Sequence, residues 1–151
     1  MWVEDLISLL LKNETLWYIH CLACFLMTGI IWFVQVVHYP LFHSVSSPLW
    51  PDYAKQHQWR TSLVVAPIML VEVFSGILIW LFVHPVSDWF FFNMGLLFFI
   101  WLSTGWIQMP LHHQLRSEKQ GHLIDNLVKS NWIRTFSWTL RCGLLLYYGT
   151  F

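Results

Sequence analysis

Two kinds of charged residue stand inside stretches that are otherwise apolar. Glu72 is the only Asp, Glu, Lys or Arg over 61–87, and Arg134 and Arg141 are the only such residues over 130–151. An ionisable group at mid-membrane costs roughly 3 kcal/mol on insertion scales, so it marks either a compensated pair or a group with a task. Glu72 and Arg141 each fall ten residues into their segment, which at about 1.5 Å per residue puts both at matching depth. Two readings follow. In the first they form a buried ion pair that neutralises both charges; in the second Glu72 handles a proton and Arg141 holds a substrate anion. In either reading Arg134 is free to pair with an anionic group.

A second set of polar residues gathers by helical spacing. Asn131, Arg134, Trp138 and Arg141 recur at three- and four-residue steps and make one stripe, as do Thr104, Gln108 and His112, while Gln35 and His38 lie one turn apart. Gln35, His38, His57, Arg60, Gln108, His112, His113, Asn131 and Arg134 fall at one end of their segments, forming a polar mouth to an aromatic-walled bundle, the kind of pocket that takes a lipophilic molecule with a polar head. Histidine is both a metal ligand and a proton carrier near neutrality. His38, His57 and His112 are therefore candidate metal ligands or acid–base groups. His38, His112, Gln35 and Gln108 are candidate contacts to a cofactor, a metal ion or haem. No HExxH or comparably dense motif is present, and interfacial histidines that bond headgroups and loop backbone are the plainer reading. His20 and His84 belong to the opposite end, so two sets of histidines could in principle bracket two haems, but nothing in the spacing demands it. CLAC at 21–24 matches a CxxC redox pair, but within an apolar helix it also reads as small-residue packing.

The elements that must position these groups follow from composition. The chain has 151 residues and 18.1 kDa, is 57% hydrophobic and only 11% charged, and has a mean hydropathy of +0.55. Too little charge is left for a soluble surface or for a nucleic-acid-binding patch. Crossing a hydrocarbon core of roughly 30 Å takes about 20 apolar residues, and four such helices fit, at 16–39, 62–83, 89–110 and 131–150. Pro40, Pro48 and Pro51 end the first, HPVSDW at 84–89 is a turn with Ser87 or Asp88 placed to cap the third, and Pro110 closes the third. Short connections predict an all-α, antiparallel four-helix bundle in a single domain. MWVEDLISLLLKNE at the start is amphipathic and reads as a short interfacial helix, not a cleaved signal peptide. Gly76, Gly95, Gly105 and Gly143 are read as permitting close helix contact. Loops 1 and 3 hold Lys55, Arg60, Arg116, Lys119 and Lys129 against Lys12 alone on the other side. That bias predicts cytoplasmic loops 1 and 3 and periplasmic termini, if the membrane is a bacterial inner membrane.

The segments TGIIWFVQVVHYPLF (28–42), YAKQHQWR (53–60), PIMLVE (67–72), STGWIQMPLHHQL (103–115) and NWIRTFSWTLR (131–141) resemble a group of small bacterial four-helix integral membrane proteins without a settled activity. More loosely, LWYIH (16–20) with Gly29 is similar to the opening of the first helix in HemJ-type protoporphyrinogen oxidases; the lysine of a later helix in that family has no counterpart in the third helix here. The polar loop after the third helix and the Arg-bearing fourth are similar to anthrone-oxygenase-like membrane proteins. Residues and resemblances together lead to the expectation of a membrane-embedded oxidoreductase or ligand-binding protein acting on a lipophilic small molecule. Membrane lipids are its surroundings, and a homo-oligomer is a further expectation. The competing expectation is an accessory or assembly subunit of a larger membrane complex, or a small transporter.

Overall fold

A computed structural model describes residues 13–83, 86–117 and 119–149. The interfacial helix expected before residue 13 and His84 lie outside the described residues. The described residues are almost all helical, with no strand among them. Four rods make up the fold: α1 (Asn13–Phe33), α2 (Trp50–Phe82), α3 (Asp88–Ser103) continued by α4 (Met109–Ser117), and α5 (Gly121–Tyr148). The rods of α1, α2 and α3–α4 are long and apolar enough to cross a membrane. The α5 rod is not among them, because Arg134, Arg141 and the rest of its buried polar stripe lower its hydropathy. Outward faces carry Phe33, Phe74, Phe98, Trp106, Phe136 and Leu146, each more than half exposed, a surface suited to hydrocarbon and not to water.

The helices overrun the expected spans. α2 has 33 residues, roughly 50 Å at the usual rise, and begins at Trp50 with Pro51 in its first turn, where a missing N–H costs nothing. Lys55 and Arg60 thus ride on a helix and not on a loop. α5 likewise starts ten residues before the expected 131, so Lys129 is helical too. Polar composition alone marked both stretches as loops, yet it only moves a helix out of the hydrocarbon.

Prolines 40 and 110 have an unexpected effect. Each is preceded by a π-helical turn, Val34–His38 before Pro40 and Thr104–Gln108 before Pro110. In the first, the Tyr39 N–H bonds the Val34 carbonyl at 3.0 Å; in the second, Met109 N–H bonds that of Thr104. A proline ring collides with the carbonyl four residues back, and widening the helix by one residue relieves that collision. Pro110 therefore does not close the third helix, which runs on as α4. Such turns are frequent at functional sites because they reset which side chains face inward.

α1 packs on α2 and α5, α3 on α5, and α4 on α2 and α5. One core contains Cys24, Met27, Ile31, Ile79, Phe90, Ile100 and Trp138. A second, where the helices overrun, contains Tyr39, Phe42, Trp50, Leu115, Ile124 and Leu127. Of the four glycines expected to mediate close contact, only Gly76 does: a Cβ there would sit 2.5 Å from Met94 Sδ and 3.2 Å from His20 Cε1, while Gly95, Gly105 and Gly143 face open space. Gly76→Val is expected to lower stability by about 1–3 kcal/mol, the usual penalty for overpacking. Met94 can swing aside, but His20 is held by hydrogen bonds. Detergent-resistant thermal unfolding would check this, with Gly95→Val as a neutral control.

Candidate functional site

The first polar centre is built around Arg141 and Glu72, both fully buried. Arg141 Nη1 donates to Glu72 Oε1 as an ion pair, so the two matched-depth charges meet. Arg141 Nε donates to the Asn93 side-chain oxygen at 3.0 Å, and Asn93 Nδ2 donates back to the Arg141 carbonyl at 3.2 Å. Trp138 Nε1 donates to Glu72 Oε2 at 3.2 Å. His20, expected at the outer end of the bundle, belongs here and is fully buried. Its Nδ1 lies 3.1 Å from the Glu72 carbonyl oxygen, which can only accept, so Nδ1 carries the proton. Nε2 is then a lone pair, and it accepts from Arg141 Nη2 at 3.3 Å. The centre takes a residue from each of the four rods, and every charged atom in it has a partner. This favours the ion-pair reading over a free proton-handling Glu72.

The second centre lies at the other end of the α5 stripe. His38 Nε2 and His57 Nδ1 are 2.8 Å apart, and Thr61 Oγ1 is 3.2 Å from the same His57 nitrogen. Tyr39 hydroxyl and His112 Nε2 are 2.9 Å apart. The His57 and His112 rings pack with centroids 5.7 Å apart, so the two hydrogen-bonded pairs form one cluster. His113 and Arg60 are exposed, His113 on the wall of a cleft shared with His57 and His112 and Arg60 on that of one shared with His38 and His57. In each of these three histidines one ring nitrogen is taken up by another histidine or by Tyr39. Among the described residues no group of three or more His, Cys, Asp or Glu could hold a metal ion. The residues expected to bind a metal thus come together without forming a ligand set, and the chemistry their geometry favours is hydrogen bonding and proton exchange.

Gln35, Asn131 and Arg134 also meet at this end. Gln35 Nε2 donates to the Val128 carbonyl at 3.1 Å, and Gln35 Oε1 accepts from Asn131 Nδ2 at 2.9 Å. Gln35 is therefore a brace between α1 and α5, with its amide spent on the protein. Gln108 Nε2 donates to Ser130 Oγ at 3.1 Å. Arg134, only 6% exposed, lies with its guanidinium carbon 5.4 Å from the Trp138 ring and beside the Tyr39 hydroxyl. Trp138 thus touches both centres. Cys21, Cys24 and Cys142 are free thiols, with Cys24 fully buried, which fits packing better than a redox pair.

Three residues of these centres escaped sequence reasoning. Tyr39, the i+4 neighbour of Gln35 and buried with it, was hidden because one more aromatic ring in so aromatic a segment carries no polar signal. Asn93 sits in an aromatic run, and only its amide in so apolar a helix signalled it. Ser103, and not Thr104, is buried on the side of Gln108, because the π turn at Thr104–Gln108 shifts the register by one residue.

Beside the histidines a cleft of about 290 Å³ opens between α2 and α4, lined by His57, Thr61, Ser62, Met109, His112 and Arg116. Farther along the line between α2 and α3 lies an apolar groove of about 310 Å³ lined by Leu70, Val73, Met94, Leu97, Phe98 and Trp101. Comparison with known protein families, with curated proteins and with solved structures finds no match to this chain.

Proposed function

We propose that this chain is an integral membrane protein whose four rods all span the bilayer as an antiparallel bundle, and that it binds a lipophilic small molecule. The polar head sits against the His57–His112 cleft and the tail lies in the apolar groove between α2 and α3. The observation that carries this reading is that a polar cleft and an apolar groove both open between α2 and the α3–α4 rod. Such a seam offers hydrogen bonds to one end of a molecule and hydrocarbon contact to the other. The His38–His57 and Tyr39–His112 pairs can pass a proton to or from a bound head, which is what an oxidoreductase acting on such a molecule requires of its protein groups. Loops 1 and 3 face the cytoplasm in this reading, because the basic residues cluster there.

The test is photolabelling in lipid nanodiscs with a diazirine-bearing hexadecanol. Saturable labelling is expected on α2 and α3 along the groove. Leu97→Trp, which fills the groove, should abolish it, and His57→Ala should weaken it several-fold. Labelling that never saturates, and that marks the outward face of α5 as strongly as the groove, would sink the reading. A second reading, an accessory subunit of a larger complex, is favoured by the broad outward aromatic surface, with Trp106 at 76% and Tyr18 at 68% exposure. A monodisperse oligomer of this chain alone in detergent would count against it.

A further inference from the structure

At the polar end of α2, Lys55, Gln58, Trp59 and Ser62 are spaced at three, one and three residues, so they share one helix face. Together with Arg116 of α4 they line a cleft of about 330 Å³. Gln58, Ser62 and Arg116 also line the His57–His112 cleft, so the two clefts share a wall. Gln58 Nε2 donates to the His112 carbonyl at 2.6 Å, a bond that ties α2 to α4 across this wall.

The charges in the cleft are of one sign. Lys55 and Arg116 are both exposed, and among the described residues neither has a carboxylate partner. No Asp or Glu lines this cleft or its neighbour, while Asp52, one turn before Lys55, lines the separate cleft that holds Arg60. An ammonium, a guanidinium and the Ser62 hydroxyl around one space are a set of donors suited to phosphate oxygens. A zwitterionic head would bring an ammonium of its own and find no carboxylate to receive it, so the set favours a head of net negative charge.

The depth of the cleft says where such a head comes from. The apolar run of α2 begins at Leu63, directly after Ser62. Trp59 is 66% exposed beside the two cations, and tryptophan gathers where headgroups meet hydrocarbon. Basic pockets between membrane helices at this level take the heads of anionic lipids. We infer that the cleft between Lys55 and Arg116 binds the phosphate of an anionic phospholipid, whose acyl chains stay in the surrounding hydrocarbon. Arg116 supplies paired N–H donors, Lys55 a point charge and Ser62 a hydroxyl. Nothing in this assignment needs a ligand in the His57–His112 cleft, and its failure would leave the ligand-binding reading untouched.

The experiment takes the full chain, stripped of lipid in detergent, and counts bound lipid by native mass spectrometry during titration with dioleoylphosphatidylglycerol or dioleoylphosphatidylcholine. The first phosphatidylglycerol should bind roughly tenfold more tightly than the first phosphatidylcholine, the scale set by two basic side chains near a membrane surface. Lys55→Gln with Arg116→Gln should bring the two lipids to near parity. Arg60→Gln with Lys129→Gln removes the same charge from exposed positions outside this cleft and should keep the preference. Ser62→Phe leaves the charges alone and fills the cleft; it should also weaken phosphatidylglycerol binding, and it keeps the test open if the double variant does not fold. Glycerol 1-phosphate at equal concentration should not displace the lipid. A preference that survives Lys55→Gln with Arg116→Gln, or that both double variants lose equally, would overturn the assignment, since general surface charge would then explain it. Displacement by glycerol 1-phosphate as effective as that by phosphatidylglycerol would overturn it too, in favour of a site for a free phosphate.

Discussion

Replacing Glu72 by Leu, or Arg141 by Met, should each remove roughly 3–5 kcal/mol of stability, the range for breaking one side of a buried ion pair. Either change leaves a full charge at the centre of the bundle, because both side chains are completely buried. Without Glu72, Arg141 keeps Asn93 and His20 but loses its carboxylate partner; without Arg141, Glu72 keeps the Trp138 N–H and the Cys24 thiol. Carrying both substitutions together should recover most of the loss, since two apolar groups of similar volume need neither a counter-charge nor hydrogen bonds. The measurement is unfolding in mixed micelles for the two single variants and the double. If the double variant is no better than the worse single one, the pair is bound into function or packing more tightly than charge compensation explains.

That pair was legible in the sequence because membrane depth is a one-dimensional quantity. Two charges at the same count from their helix ends reach the same plane, and nothing else in the plane can neutralise them. The α5 stripe of Asn131, Arg134, Trp138 and Arg141 was legible for a similar reason, as an uninterrupted helix keeps its period and all four residues are buried. What was not legible depends on interruptions of that period. The π turn at Thr104–Gln108 advances the register by one residue, so Gln108 lines up with buried Ser103 and not with Thr104 as expected. Prolines 40 and 110 were visible, but whether a proline ends a helix or widens it depends on what the next segment packs against. Here Phe42, Trp50, Leu115 and Ile124 form a second core, and that core keeps the chain helical beyond the hydrocarbon. His20 was misplaced for a different reason. Depth put it near one end of α1, but its partners come from α2 and α5, and the approach of α2 at Gly76 is a tertiary fact with no local signal.

Trp138 is the residue at which the two polar centres meet, and Trp138→Phe should cost about 2–3 kcal/mol. The indole is fully buried, with Nε1 bonded to Glu72 Oε2 and its ring beside Arg134. Phenylalanine keeps an aromatic face for the guanidinium but removes the N–H, and losing a hydrogen bond to a buried charged group accounts for about 1.5–3 kcal/mol. Trp138→Ala removes the face as well and should cost about 3–5 kcal/mol from the cavity alone. These contributions separate in a double-mutant cycle. In a Glu72→Leu, Arg141→Met background the N–H has no carboxylate to bond, so Trp138→Phe should become much milder while Trp138→Ala stays severe.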